Sequence, residues 1–271
     1  MVRRECVIMI NCTVSVLIGN GNGAFAPKIA YAVGTGAPGH LAAADFNGDG
    51  RTDLVVTNQQ ADSVSIKLST ATCSANCGSF AAKVDYPVVG FPFTTVVADF
   101  DGDGNSDLAS PSYLSSNVVV LFGNGSTFAS GVTFAAGYGA YSIAVADFNR
   151  DGKRDMAVTN QFDSSFSVLT NFGGAFTTVD NSLGFTPYSI ATGDFNRDGK
   201  PDLAIADFSS DRVYITLGAG DGTFLAGTTY AAGTHAFGIA AGDLNGDGKL
   251  DLAVANEGSD NVTVMMGIGE R

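Results

Sequence analysis

Five ten-residue phrases hold most of the oxygen-bearing acidic side chains of this sequence: DFNGDGRTDL from Asp45, DFDGDGNSDL from Asp99, DFNRDGKRDM from Asp147, DFNRDGKPDL from Asp194 and DLNGDGKLDL from Asp243. Numbered within each phrase, side-chain oxygens fall at positions 1, 3, 5 and 9. Gly at position 6 allows the sharp turn that lets the oxygens converge. In the first phrase the donors are Asp45, Asn47, Asp49 and Asp53, and the carbonyl of Arg51 at position 7 points inward as a further ligand. The equivalent sets are Asp99, Asp101, Asp103 and Asp107 with the carbonyl of Asn105; Asp147, Asn149, Asp151 and Asp155 with Lys153; Asp194, Asn196, Asp198 and Asp202 with Lys200; and Asp243, Asn245, Asp247 and Asp251 with Lys249. So many hard oxygen donors in a flexible loop suit calcium, which accepts 6 to 8 oxygens, better than magnesium, which demands an octahedron and keeps its waters. Zinc is disfavoured by the lack of His and Cys in the phrases. The expected cofactor is Ca2+, about five ions.

An EF-hand shares positions 1, 3, 5 and 7 but needs a bidentate Glu at position 12 between two helices. Position 12 of the first phrase is Val56, and the flanks have β character, so that reading fails. Asp, Asn and Gly also make ordinary hairpin turns, but turn propensity does not explain four oxygens in register five times. Charge agrees: 14 Lys and Arg face 27 Asp and Glu, a formal net charge of −13, and the five phrases hold sixteen of those acids. Without cations, such clusters repel. Calcium is therefore expected to be a folding cofactor.

The phrases start 54, 48, 47 and 49 residues apart, so one unit of about 48 residues repeats. Each unit holds four short β segments; in the third these are 142–148, 156–160, 166–170 and 176–180, bounded by Asp, Asn, Ser or Gly. Third segments such as 64–68, 118–121, 213–217 and 262–265 mostly run into Gly-rich turns, as at 19–25, 123–128 and 218–224. Four antiparallel strands per unit is the arithmetic of a β-propeller blade. A solenoid is the alternative, but the small residues before each phrase (Ala42–Ala44, Ala144–Ala146, Ala240–Gly242) suit inner strands crowded near an axis. The expected fold is all-β: one propeller domain over 1–271, with a partial blade at 1–40 and motif-bearing blades starting near 41, 95, 143, 190 and 239. That makes about six blade positions, five with calcium loops. The two ends supply incomplete strand sets, so an incomplete ring and a composite closing blade both remain open. Residues 1–18 read as strand rather than as a secretory leader, because Asn11 and Thr13 interrupt the apolar run and 13–18 alternates.

The pattern D-F-[ND]-x-D-G-x-x-D-[LM] between two strands, on a repeat near 48, resembles the FG-GAP and VCBS-type propellers, to which integrin α-subunit heads are similar. The resemblance spans about residues 13 to 269. It implies calcium in the turn joining the first and second strands of a blade, and an extracellular or cell-surface adhesion, lectin-like or enzyme-associated module. Integrin heads are seven-bladed, and this chain is short of that.

An acidic chain with a pI near 4.3 repels phosphate backbones, so no nucleic-acid partner is expected. No apolar run approaches the roughly 18 to 20 residues that span a bilayer, so no membrane insertion is expected. A ligand surface is expected opposite the motif turns, where the loops after second strands and before first strands emerge. Tyr113, Tyr141, Tyr188, Gln161 and Asp163 are the candidate contacts, to a glycan or an extracellular protein. Phe93 and Phe237 are expected to wedge between blades as core. An enzyme is the second class: propellers can place acid–base groups in a central mouth, yet only His40 and His235 exist, and both read as rim residues. A passive scaffold, or a fragment of a larger surface protein, is the third. Cys73 and Cys77 lie in the insertion that lengthens the first unit, where either a disulfide or two thiols is open; Cys6 and Cys12 are ambiguous. Asn11, Asn124 and Asn261 match glycosylation acceptors.

Overall fold

The computed structural model describes residues 5–10, 12–20, 22–34, 37–70 and 79–269. Cys73, Cys77 and Asn11 lie outside them, and so does the reading of a disulfide between the first two. Twenty-two strands form six antiparallel sheets among the described residues, each with neighbouring strands consecutive in sequence. The first sheet has three: β1 (Glu5–Ile10), β2 (Thr13–Ile18) and β3 (Ile29–Ala32). Four sheets have four strands each. They comprise β4 (Pro38–Ala44), β5 (Asp53–Asn58), β6 (Ser63–Lys67) and β7 (Val84–Pro87); β8 (Val96–Ala98), β9 (Asp107–Ser112), β10 (Asn117–Leu121) and β11 (Val132–Ala135); β12 (Ala140–Ala146), β13 (Asp155–Asn160), β14 (Ser165–Asn171) and β15 (Phe176–Ser182); and β16 (Pro187–Gly193), β17 (Asp202–Asp207), β18 (Arg212–Thr216) and β19 (Thr228–Ala231). The last sheet holds β20 (Ala236–Gly242), β21 (Asp251–Asn256) and β22 (Asn261–Met265).

The sheets form a β-propeller of five blades, each with a motif phrase in the turn between its first and second strand, one fewer than the about six expected; the sheet β1–β3 carries no phrase. The second strands β5, β9, β13 and β17 are buried along their whole length, whereas the fourth strands β7, β11 and β19 are largely exposed. A second strand covered on both faces needs a continuous apolar run, and D-L-V-V-T-N or D-L-A-I-A-D supplies it.

Backbone packing divides the chain, read above as one domain, into two compact units. The first comprises Met1–Val97, Gly104–Ser110 and Val119–Val132; the second comprises Ala98–Asp103, Pro111–Val118 and Thr133–Arg271. Inside the first, Val14, Val16 and Val33 pack on Leu54 and Val56, and Phe46, Val55 and Ile66 pack on Leu108, Val119 and Leu121. Inside the second, Ala144, Phe148 and Phe166 pack on Ile190, Leu203 and Ile205, and Ala204, Ala206 and Val213 pack on Leu252 and Val254. Side chains of successive sheets thus interdigitate to form the core.

Candidate functional site

Each motif turn is folded by its own side chains. In the first, Asp45 accepts hydrogen bonds from the backbone N–H groups of Asn47, Asp49 and Gly50 at 3.3, 3.2 and 2.7 Å, Asn47 accepts from Asp49, and Asp49 accepts from Arg51. Asp147, Asp194 and Asp243 repeat the pattern with Asp151 and Gly152, Asp198 and Gly199, and Asp247 and Gly248. Position 6 is left-handed in all five turns, with φ from +79° at Gly248 to +88° at Gly152, as only Gly adopts without cost. Position 4 is left-handed too, and there Arg150 and Arg197 stand at φ 62°.

Position 9, expected only as a ligand, has a second job that the phrase alone does not reveal. Asp53 is fully buried; its Oδ2 accepts from Phe46 N at 2.9 Å and its Oδ1 from Ser69 N at 2.6 Å. Asp155 holds Phe148 N and Asn171 N at 2.9 and 2.8 Å, Asp202 holds Phe195 N and Gly218 N at 2.9 Å each, and Asp251 holds Leu244 N and Gly267 N at 3.0 and 2.8 Å. Each aspartate pins the motif turn to the chain at or just past the end of the third strand. Burial pushes the carboxyl groups of Asp53, Asp155 and Asp202 up, against the pull of these N–H groups, and the charges of Asp49 and Asp45 push Asp53 further. The Oδ1 atom of each of these aspartates accepts one N–H and keeps a second lone pair. Buried carboxylates crowded by like charges, with lone pairs to spare, fit a bound calcium ion.

At position 5 the aspartates carry ion pairs: Arg51 with Asp49, Lys153 with Asp151, Lys200 with Asp198 and Lys249 with Asp247, the last three at 3.1, 3.2 and 3.5 Å. The second phrase instead has the uncharged Asn105 at position 7. Within that turn Asp99, Asp101 and Asp107 bring one carboxylate oxygen each within 4.8 Å of one another.

At the other end of the strands, in the second unit, the expected tyrosines do come together. Tyr113 lies 6.1 Å from Tyr141, Tyr141 lies 5.3 Å from Tyr188, and Tyr188 stacks on Phe208 at 4.4 Å. Phe162 joins at 5.0 Å from Tyr113, Phe237 at 5.2 Å from Tyr188, and the ring of His235 stacks on Phe208 at 4.4 Å. Tyr138 joins at 4.8 Å from Phe162, and Phe162, Tyr138 and Phe237 are 52, 46 and 37% exposed, so the network reaches solvent. Burial, reinforced by Tyr188, Tyr113 and Glu257, pushes the Tyr141 hydroxyl up to about 12. Burial and Glu257 raise Tyr188 as well.

A β-bulge positions these rings. The register of the first strand shifts between Ala140 and Ile143 in β12, between Pro187 and Ile190 in β16 and between Ala236 and Gly238 in β20, so Tyr141, Tyr188 and Phe237 sit inside strands, not before them. Bulges re-aim a side chain and mark functional edges. The Thr159 hydroxyl fixes two of them at once: it accepts from Ser142 N at 3.1 Å and donates to the carbonyl of Tyr188 at 2.7 Å.

One expectation changes here: Phe237, expected as core, belongs to the exposed network. Asp163 braces the loop, its Oδ2 accepting from Tyr138 N at 2.6 Å. Gln161 is 5% exposed, and its Nε2 has no hydrogen-bond partner. In the first unit, Phe93 is half-buried with its ring 5.3 Å from Phe91. There too His40 lies in the β4 bulge, burial lowers its pKa, and its Nδ1 accepts from Thr95 N at 3.4 Å.

The FG-GAP-like repeat model matches residues 4–56, 99–158, 151–205 and 194–254. The chain belongs to the FG-GAP-like repeat family. No curated protein matches this FG-GAP-like chain. Among solved structures, a putative 6-phosphogluconolactonase from Bacteroides fragilis NCTC 9343 is similar at a TM-score of 0.70 and 15% identity, covering 93% of this chain and 72% of that one. BBS1N in complex with ARL6DN, soaked with lead, gives 0.66 and 11%, covering 97% and 75%. The periplasmic gluconolactonase PpgL of Pseudomonas aeruginosa gives 0.65 and 16%, covering 94% and 67%. At such identities the likeness is one of fold alone. Among the described residues, no helix is long and apolar enough to cross a membrane.

Proposed function

We propose that this FG-GAP-like chain is an extracellular, calcium-stabilised binding module that takes a glycan through the aromatic network. The observation that carries the reading is that three consecutive first strands, β12, β16 and β20, each spend a bulge on turning an aromatic ring into one network that also gathers Tyr113, Phe162 and Phe208. Large exposed apolar patches mark interaction sites, and Tyr offers a flat apolar face beside a hydroxyl that hydrogen-bonds. A sugar ring has matching apolar faces and polar edges. Calcium's part is structural. Side-chain oxygens at positions 1, 3, 5 and 9 of each phrase and the carbonyl at 7 would hold it, and its charge would relieve the repulsion among them. Calcium sites of extracellular modules bind at about 10⁻⁴ to 10⁻³ M, which suits the outside of a cell.

The test is a glycan array in millimolar calcium, repeated after chelation. Saturable binding, lost in the Tyr188→Ala variant and retained by Asp62→Asn in the first unit, is the expected result. A blank array from folded protein removes the glycan reading and turns the same face toward a protein ligand.

A further inference from the structure

The aromatic face of the second unit is flanked by charge of one sign, and that charge narrows the class of ligand. The loops at this end of the unit contain Asp163, Asp211, Glu257 and Asp260 and no Lys or Arg; Arg212 opens β18 just beyond Asp211. Cations gather at the other end of the same strands, where Arg150, Lys153, Arg154, Arg197, Lys200 and Lys249 all lie in motif phrases.

The acidic groups are set against the rings. Tyr188, Phe208 and His235 form one stack, with 4.4 Å at each step. The Oδ1 of Asp211 accepts from His235 N at 2.8 Å, and the carbonyl of His235 accepts from Glu257 N at 3.0 Å. Gly258 approaches so closely that a Cβ there would stand 2.8 Å from His235 Nδ1. The loop after β21 thus wraps the end of the stack and leaves Glu257 exposed. The charge of Glu257 reaches Tyr141 and Tyr188, whose hydroxyls burial pushes up and this charge pushes further. On the other flank Asp163 holds Tyr138 N at 2.6 Å, beside Phe162. Among the described residues, Asp163, Asp211 and Glu257 have no ion-pair partner.

The face of an aromatic ring is negative and attracts a cation placed over it. Carboxylates at the rim add to that attraction. Such a surface repels an acidic ligand, holds a neutral one by its apolar face alone, and holds a cationic one best. We infer that the ligand of the aromatic face is an amino sugar with a free amine, its ring lying on the exposed aromatic surface and its ammonium group directed to Glu257. The inference rests on the glycan reading above and adds the charge of the glycan. A lysine side chain brings the same charge without the flat ring that covers Tyr188 and Phe237.

The test is calorimetric titration of the whole chain in calcium and mildly acidic buffer with two probes of equal length: a chitosan oligosaccharide, whose amines are free and protonated, and a chitin oligosaccharide, whose amines are acetylated and uncharged. The free-amine form is expected to bind about tenfold more tightly, a preference that fades as sodium chloride screens the charges. Tyr188→Ala should weaken both. Glu257→Gln should weaken the free-amine form about three- to fivefold, as for an exposed ion pair, and leave the acetylated form unchanged. Its backbone N–H, not its carboxylate, holds the loop, so the melting curve of that variant should match the parent. Asp221→Asn removes the same charge from an exposed turn at the motif end and should change neither affinity. Equal weakening by Glu257→Gln and Asp221→Asn overturns the inference, because the net charge of the chain would then attract any polycation. The acetylated form bound as tightly as the free-amine form overturns it too, and leaves the glycan reading in place. If neither oligosaccharide binds, or polylysine binds in their place, the inference falls, and the glycan array decides the wider reading.

Discussion

Positions 3 and 9 of the motif should respond differently to mutation, because only one of them is built into the sheet. Asp155 holds buried N–H groups on both sides of the turn, so Asp155→Ala leaves Phe148 N and Asn171 N without acceptors. Each orphaned group costs about 1–3 kcal/mol; a loss of about 3 kcal/mol or more is expected in denaturant unfolding, in chelator as much as in calcium. Asn149 accepts only from the exposed Asp151 N–H inside its own turn. Asn149→Ala should therefore cost little in chelator and remove part of the calcium-induced gain. Equal losses for the two variants in chelator would refute the separate role of position 9. Affinity should also differ between turns. The second has four aspartates and no cation at position 7, whereas elsewhere Arg51, Lys153, Lys200 or Lys249 already pairs with the position 5 aspartate. The tightest calcium site is expected there, and Asp101→Asn should weaken it; a variant that titrates like the parent would show that charge count does not govern affinity.

The bulged first strands offer a test at the scale of elements. Thr159→Val keeps the shape of the side chain but leaves Ser142 N without its acceptor at 3.1 Å and the Tyr188 carbonyl without its donor at 2.7 Å. A loss of about 2 kcal/mol is expected on unfolding, together with a downward shift of the Tyr141 hydroxyl from about 12 toward its ordinary 10, read in an ultraviolet titration of tyrosinate. An unchanged tyrosine titration would mean that the threonine does not position the rings. The same contact shows why the aromatic face was only half legible in the sequence. Segment order, strand type and the five turns follow from a local phrase and from alternation, and the third unit's segments fall within a few residues of β12 to β15. The β12 bulge is held by a hydroxyl seventeen residues along the chain that also reaches a carbonyl of the next blade, so Tyr141 reads as lying before a strand when it lies in one. The brace that Asp163 makes was hidden for a related reason: nothing in Gln161-Phe162-Asp163 announces the N–H of Tyr138 that its Oδ2 accepts. The pinning role of position 9 was hidden likewise, since its second donor lies sixteen residues downstream.

For the whole molecule the dominant quantity is charge. A formal −13 over 271 residues, with sixteen carboxylates gathered into five turns, opposes folding through repulsion that mobile ions screen over about 8 Å at physiological ionic strength. Five bound calcium ions would reduce the formal net charge to −3 and place the compensating charge inside the clusters, where screening by salt is least effective. Two melting series separate this account from one in which calcium merely binds the surface. In chelator, raising sodium chloride should raise the melting temperature steadily, because salt does weakly what the bound ions do well. In saturating calcium the same salt series should be nearly flat or slightly downward, since little repulsion is left to screen and the ions' own attraction is being weakened. The calcium series at fixed salt should rise logarithmically, with each site adding about 2.7 kcal/mol at a hundred times its dissociation constant if the unfolded chain does not bind. A salt dependence that is the same with and without calcium would mean the clusters are not under electrostatic stress, and the five turns would then be ordinary Asp–Gly hairpins that happen to share a register.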